Sequence, residues 1–418
     1  MKLSILIPTL NEAINLGKLL PCLRMVMAGV LPESEYEILI ADAESKDDTA
    51  RVVSENSAIL LQVQRGYGVA LAQGISACRG DYIITMDADF SHSPWIIPIL
   101  YASRDEGEVI IASRYVKSGF SHTGWFRRFL SGILNTVYRV ALDLPIKDLS
   151  SGFRLYHRRI FDEIVPTEKN YVALQEILMK AHANGFRIRE VPFHYHPRKH
   201  GYSKSRLFKF GKDYLFSLFK FWRMRNSFGC ADYDERAFHS RLLPQRFWQR
   251  KRYRILFDYC RDYHSILYIG CSSSQILEGL PQTTGMDNNL NKLRYKRAPY
   301  RNLLLASVCN IPFKDKSFDA TIFSQVNERL PEDSRILDEV VRVTQKDGFI
   351  IIDTPDYGTH WRVIEKFYKH FQPAAFTGEK PTHYTKNSLV TEMEKRGCRY
   401  CEHRYILGAE LIIKFQRL

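Results

Sequence analysis

Short β-rich runs alternate with helix-length stretches twice along this chain, and that rhythm narrows its fold more than any other feature. In the first half, SILIP, YEILIA, AILLQV, DYIITM and EVIIAS are separated by helical segments such as Glu12–Ala28 and Gly66–Cys78. In the second half, SILYIG, TTGMD, FDATIF, GFIIID and ELIIKF play the same part. Strands alternating with helices predict parallel-type sheets covered on both faces, with ligands at the carboxyl ends of the strands. The fold class is therefore α/β, twice over. A length of 418 residues agrees with two or three domains at roughly 100–200 residues each.

Charge divides the chain further. Residues 197–254 hold sixteen of the Lys/Arg residues and only four Asp/Glu, so nearly the whole net charge of +14 sits there. Fourteen aromatics share that stretch, among them Phe208, Phe210, Tyr214, Phe219, Phe221, Trp222 and Trp248. The expected organisation is a domain over 1–205, a basic aromatic connector over 206–252 and a second domain over 253–418. From Leu207 to Arg225, apolar residues recur at Leu207, Phe210, Tyr214, Leu218, Phe221 and Trp222, with Lys209, Lys212, Asp213, Lys220 and Arg223 mainly opposite. Such a helix suits the headgroup plane of a membrane; the competing expectation packs its aromatic face into a core. A nucleic-acid partner is not expected, since no zinc finger, RRM signature or helix-turn-helix is evident.

Other classes drop out on composition. No apolar run reaches the ~18–20 residues of a membrane-spanning helix. The start, MKLSILIPTLNE, turns polar too soon for a signal peptide. The eight cysteines show no framework spacing and fit free thiols in a reducing compartment, so the expected location is cytoplasmic with peripheral membrane contact.

Three polar clusters each follow a predicted strand: Pro8–Glu12, Asp42–Asp48 and Asp87–Pro94. A parallel sheet brings all three to one rim. Asp87 and Asp89, one residue apart in MDAD, have the oxygen ligands and open positions that suit Mg²⁺ or Mn²⁺ bound partly through phosphates. Together with Arg65–Gly74 (RGYGVALAQG), Ser113–Tyr115 (SRY), Asp148–Tyr156 (DLSSGFRLY) and Glu190–Lys204 (EVPFHYHPRKHGYSK), these clusters resemble the inverting GT-A glycosyltransferases of family 2. Their order and spacing are similar to the dolichyl/polyprenyl-phosphate mannosyltransferase type, over about residues 2–205.

The resemblance implies a GT-A Rossmann-like domain that moves a sugar, mannose first, from a GDP- or UDP-sugar to a polyprenyl phosphate. It implies that Pro8, Leu10, Glu12, Ile40 and Asp42 line the nucleoside pocket, with Ala88 beneath the ribose. Asp87 and Asp89 would hold the metal on the diphosphate, and Arg114, Arg128, Arg198 and Lys204 would meet phosphate oxygens. Asp89, Arg114, Arg198 and Lys204 would carry the chemistry. Leu10 stands where an aromatic is usual, and Ala43 where a second Asp is. A lipid monophosphate is already charged (its second pKa is about 6), so transfer to it requires no general base. Transfer to a sugar hydroxyl, as in surface polysaccharide synthesis, would require one. Glu176 is the nearest candidate, though it reads first as an exposed helix residue.

The second half, over about residues 255–418, resembles class I S-adenosylmethionine-dependent methyltransferases through SILYIGCSSSQILEGL, TTGMDNN and the NIPF–SFD–F series at Asn310–Phe323. The resemblance implies a second Rossmann fold with the cofactor at Gly270, Ser272, Asp287 and Asn310, and leaves two alternatives: methylation of a glycan or lipid-linked product, or a retained but catalytically silent fold. Tyr268 replaces the acidic residue usual before the loop, the loop Gly270–Ser274 keeps one glycine, and Ser307 stands where an Asp is common. Tyr357, His360 and His383 are nominated for the pocket side. HYHPRKH has zinc-like residue types that strand alternation and an overlapping phosphate motif explain, Cys398-x-x-Cys401-x-His403 lacks a fourth ligand nearby and reads as a strand end, and Cys271 lacks a paired base and reads as structural.

Overall fold

The computed structural model describes residues 1–122, 125–196, 211–297, 302–324, 334–371 and 383–418. The chain separates into two compact units, Met1–His182 with Phe186–Arg225, and Ala183–Gly185 with Asn226–Leu418. The basic stretch is thus shared: its helix Gly211–Arg225 belongs to the first unit, and its residues from Asn226 onward to the second.

In the first unit the strands are β1 (Leu3–Thr9), β2 (Tyr36–Asp42), β3 (Ile59–Gln62), β4 (Tyr82–Thr85), β5 (Val109–Ser113), β6 (Phe120–Ser121), β7 (Arg154–His157), β8 (Ile188–Pro192) and β9 (His194–Tyr195). The helices are α1 (Ala13–Met27), α2 (Thr49–Glu55), α3 (Tyr67–Ala77), α4 (Ile97–Ala102), α5 (Trp125–Ala141), α6 (Ala173–Ala183) and α7 (Gly211–Arg225). A seven-stranded sheet runs β3-β2-β1-β4-β7-β5-β8, and β6 pairs with β9 apart from it. The expected parallel order holds for β3, β2, β1 and β4, but β7 enters antiparallel between β4 and β5. β1 shows why the sheet is covered on both faces. Leu3, Ile5 and Ile7 join a core with α1 and α4, while Leu6 joins the opposite core with α3 and α6, the two-residue alternation of a strand.

Helix α7 settles on the first unit by the face expected to be apolar. Phe221 is fully buried in the core, with Tyr214 and Leu218 packed beside it. The Tyr138 hydroxyl of α5 donates to the Tyr214 carbonyl at 2.5 Å, and the Arg225 guanidinium donates to the carbonyls of Leu142 and Asp143 at 2.8 and 2.9 Å. Core packing therefore claims this face, against the interfacial expectation for it. The outward face is also apolar: Leu215, Phe216, Phe219 and Trp222 are exposed. The basic residues expected opposite are in part engaged, since Lys220 pairs with Glu168 at 2.6 Å. Lys209, and Leu207 and Phe210 with it, lie outside the described residues, as do the side chains of Lys212 and Asp213.

The second unit adds β10 (Ile266–Ile269), β11 (Thr283–Asp287), β12 (Leu303–Leu305), β13 (Phe318–Ser324), β14 (Thr344–Pro355), β15 (Cys398–Ile406) and β16 (Glu410–Arg417). Its helices are α8 (Tyr233–Phe238), α9 (Leu243–Cys260), α10 (Ile276–Gly279), α11 (Leu290–Lys296), α12 (Ser334–Val343), α13 (Trp361–Phe371) and α14 (Lys386–Glu394). The sheet order is β12-β11-β10-β13-β14-β16-β15, parallel through β14 and antiparallel at β16. Direction of winding reverses between β10 and β13, which is the switch point where open α/β sheets take ligands. Cys398, Cys401 and His403 all lie along β15, with His403 against the Tyr400 hydroxyl at 2.7 Å, in keeping with a structural strand.

Truncating Phe221 to Ala should cost about 3–5 kcal/mol in the first unit, whereas Phe219→Ala, at 58% exposed, should stay within about 0.5 kcal/mol. Denaturant melts of the two variants check this contrast.

Candidate functional site

Parallel pairing puts the ends of β1, β2 and β4 at one edge of the first sheet, with Thr9 in register with Asp42. The turns beyond β1 and β2 are bonded to each other. Asn11, at φ +52°, takes the left-handed region where Asn is enriched. Its amide donates to Ser45 Oγ at 2.7 Å, and its side-chain oxygen accepts from the Lys46 amide at 2.7 Å. The Glu12 amide donates to Thr49 Oγ1 at 3.2 Å, and Asp47 accepts from the Ala13 amide at 3.0 Å, at the start of α1. Asp42 is buried between the turns, accepting from the Ser45 hydroxyl and from Gln62 Nε2 at 3.2 Å. Ile40 is wholly buried in the α1-side core and Leu10 packs on the opposite core, so these two support the turn from beneath. Pro8 and Glu12 are half-buried at the rim.

The turn after β4 carries the two aspartates. Asp87 is about one-third exposed, its side chain at 35%, while Asp89 is buried and accepts from the Ser91 amide at 3.0 Å. Ala88 is buried between them in the core. His92, which sequence reasoning passed over, braces this turn. Its Nδ1 accepts the Asp87 amide at 2.9 Å, its Nε2 lies 3.7 Å from Asp87 Oδ2, and its ring stacks on Phe153 at 5.0 Å. Burial pushes the His92 pKa down, outweighing the nearby Asp87 and Asp89 charges, so the ring is neutral with its proton on Nε2.

Among the described residues no group of three or more His, Cys, Asp or Glu could hold a metal. A pair of carboxylates on a rim is the donor set by which Mg²⁺ or Mn²⁺ is held through one or two carboxylates plus substrate phosphates. Asp87, about one-third exposed, and Asp89, buried, are two carboxylates in one turn on this rim.

Arg114 is committed to the protein. Its Nε and Nη2 form a fork on Asp148 at 2.8 and 2.7 Å, its amide reaches the same carboxylate at 3.0 Å, and Nη2 also donates to Ser150 Oγ at 2.7 Å. Asp148 itself accepts from the Ser151 amide at 3.0 Å, and Glu190 holds the Lys147 and Asp148 amides at 2.9 Å each. The DLSSGFRLY segment is therefore a braced loop running into β7. Complete burial would raise the Asp148 pKa, but the Arg114 charge and its hydrogen bonds hold it below the usual carboxylate range. Arg198 and Lys204 lie outside the described residues, as does the side chain of Arg128 on α5.

Glu176, expected at an exposed helix position, is fully buried instead. It accepts from the Thr167 amide and hydroxyl at 2.8 and 2.5 Å and from the Glu168 amide at 2.9 Å, and pairs with Lys180 at 2.8 Å. It anchors the loop before α6. Gly68, at the start of α3, meets the same loop: a Cβ there would stand 2.0 Å from the Glu168 carbonyl.

In the second unit, Gly270 takes φ +73° and Ser272 φ +50° in the turn after β10. Asp287, ending β11, accepts the Ser272 and Asn289 amides, each at 2.8 Å. Asn310 is exposed on the loop after β12, with its amide on the Ser307 carbonyl at 3.2 Å. Cys271 is buried and its thiol is pushed well above its ordinary pKa by burial, consistent with a structural role. Tyr357 stands 4.2 Å from the ring of His383.

Two family models match. Residues 4–165 match Glycosyl transferase family 2 and residues 267–352 match a Methyltransferase domain. The chain is 32% identical over 214 residues, 49% of its length, to a dolichol-phosphate mannosyltransferase of Pyrococcus furiosus. Over 213 residues, again 49% of the chain, it is 31% identical to an undecaprenyl-phosphate 4-deoxy-4-formamido-L-arabinose transferase of Enterobacter sp. (strain 638). It spans 59% and 62% of the lengths of these two relatives. It is also similar to a solved glucosyl-3-phosphoglycerate synthase of Mycobacterium tuberculosis, at 17% identity and a TM-score of 0.44, covering 53% of this chain and 78% of that one. The chain thus carries a family 2 glycosyltransferase domain in its first unit and a methyltransferase domain in its second.

Arg114→Ala should destabilise the first unit by about 3–5 kcal/mol, because it strands a buried carboxylate. The Asp148 pKa is depressed in the folded state, so its contribution is present above about pH 4 and is lost as pH falls through the folded value. Acid titrations of wild type and Asp148→Asn, followed by circular dichroism, should show the variant without this acid-linked loss.

Proposed function

We propose that the first unit is a metal-dependent, inverting glycosyltransferase that moves a sugar from a nucleotide-sugar to a polyprenyl phosphate at a membrane surface. The observation that carries this function is the convergence of Asp42, Asp87 and Asp89 on the rim formed by the ends of β1, β2 and β4. Asp42 and Glu12 suit hydrogen bonds from base or ribose, and the braced Asn11–Thr49 turns hold them there. Asp87 and Asp89 would hold Mg²⁺ or Mn²⁺, which when bound neutralises charge on the departing diphosphate. His92 keeps the Asp87 backbone in place. Arg114, already forked on Asp148, orders the wall of the site through Ser150, and any phosphate contact it makes adds to that pairing. Arg128, Arg198 and Lys204 are the remaining cations proposed for the phosphates.

Glu176 favours a phosphate acceptor over a sugar hydroxyl. The carboxylate nominated as a base is buried and bound to its own loop, whereas a phosphate acceptor needs no base. For the donor, mannose on GDP or UDP is the first to test. The two relatives are named for transfer to, or synthesis on, a lipid phosphate.

Contact with the bilayer is supported by exposed apolar rows on two helices of this unit. Phe129, Ile133, Val137 and Val140 face outward on α5, and Leu215, Phe216, Phe219 and Trp222 do so on α7. No described helix is long and apolar enough to cross a membrane. No methyl transfer is proposed for the second unit, because Arg252 and Lys292 are buried in ion pairs at its crevice.

Radiolabelled GDP-mannose and other nucleotide-sugars, offered with polyprenyl phosphate or with free glycans, test the activity. A lipid-linked product is expected, and transfer to glycans alone would defeat the proposal. Asp87→Ala or Asp89→Ala should lower turnover by about 10²–10³-fold through lost charge stabilisation. In vesicle flotation, Phe216→Glu with Phe219→Glu should lower the bound fraction while leaving nucleotide binding intact.

A further inference from the structure

In the second unit, the place where an open sheet of this order takes its ligand is the carboxyl edge around the β10/β13 switch point. Four polar groups meet there. Ser324 ends β13, Asp353 lies opposite it on β14, Tyr268 is near the end of β10, and Glu410 begins the antiparallel β16 at the same edge. The Arg252 guanidinium, reaching in from α9, is buried among them. Nε donates to Asp353 Oδ2 at 2.5 Å, and Nη2 donates to Ser324 Oγ and lies 3.5 Å from the Tyr268 hydroxyl. Ser324 Oγ donates to the same Asp353 oxygen at 2.7 Å, and Glu410 is 4.0 Å from Nε.

A second cation fills the turn beyond β10. Lys292 of α11 is 1% exposed, donates to Ser272 Oγ at 2.8 Å and pairs with Asp234 of α8 at 3.2 Å. Its ammonium lies 3.5 Å from the centre of the Phe228 ring. The Asp234 amide and carboxylate both engage Ser273, at 3.2 and 3.3 Å. Two of the loop hydroxyls, Ser272 and Ser273, are therefore bonded to α11 and α8. Among the described residues, a cavity of about 20 Å³, room for roughly one water, lies beside Asp234, Arg252, Tyr253 and Ser274.

We infer that the second unit keeps the methyltransferase fold with a sealed crevice: Arg252 on Asp353 and Ser324, and Lys292 on Asp234 and Ser272, occupy the cofactor's place. Displacing either cation would strand a buried carboxylate, so the pairs do not open cheaply. Residue substitutions legible in the sequence accompany the seal: Tyr268 in place of an acid, and serines in place of glycines. Arg252 and Lys292 thus act as clasps that fix α9 and α11 to the sheet edge.

The inference is independent of glycosyl transfer by the first unit, and two measurements on the full chain test it. Equilibrium dialysis with radiolabelled S-adenosylmethionine and S-adenosylhomocysteine should find no saturable binding up to about 1 mM. Tighter binding that Asp287→Ala removes would overturn the inference. Thermal melts of Arg252→Met, Asp353→Leu and the double variant form the second. Each single variant should melt earlier than wild type, and the double variant should recover part of the loss, because it removes the Asp353 or Arg252 charge that the corresponding single variant strands. A single Arg252→Met variant that melts like wild type would show that Arg252 does not clasp the sheet, and would also overturn it.

Discussion

Strand β1 is the element on which the site depends. It is hydrogen-bonded in parallel to β2 on one side and β4 on the other, and both its faces are buried. Parallel pairing leaves no choice about where the following turns go: all three emerge at one edge, and with them come Glu12, Asp42, Asp87 and Asp89. Placing acidic groups together in this way is costly unless each is held by donors. Asp42 receives Ser45 and Gln62, Asp89 receives the Ser91 amide, and the Asp87 backbone rests on His92. The rim is preorganised by hydrogen bonds that lie outside the reacting groups, and preorganisation is what a site that works by charge stabilisation requires.

The same logic separates the two units. In the first, the acidic groups of the rim are supported from behind, and Asp87 keeps part of its surface open. In the second, Arg252 of α9 pairs with Asp353 of the sheet edge and Lys292 of α11 pairs with Asp234 of α8. One sheet edge offers carboxylates to a ligand; the other has supplied its own counter-charges. A common α/β plan therefore carries one candidate reaction centre and one structural clasp within a single chain.

Much of this was legible beforehand, and the gaps have identifiable causes. β1, β2 and β4 read clearly because continuous apolar runs bounded by polar turns are what a strand buried on both faces requires. Asp42, Asp87 and Asp89 read clearly because they end those runs. β7 was invisible as a strand: RLYH is short, and it follows a segment that looks like a binding motif. Glu176 looked exposed from its helix position, since its partners Thr167 and Glu168 lie in a preceding loop that helical periodicity does not describe. For helix α7 the pattern assigned one apolar face and left open whether a membrane or the core covers it; Phe221 of that face went inward, while Trp222 of the same face and Phe219 are exposed. His92 and Arg252 gave no local signal, because their importance comes from partners brought in by the fold.

The central claim concerns two side chains and one ion, and anomalous scattering tests it most directly. Crystals of the protein grown with Mn²⁺ and a nucleoside diphosphate should show one manganese peak bridging the diphosphate and the Asp87–Asp89 turn, with the base against Asp42. Nucleotide bound elsewhere, or a metal held without either aspartate, would contradict the account.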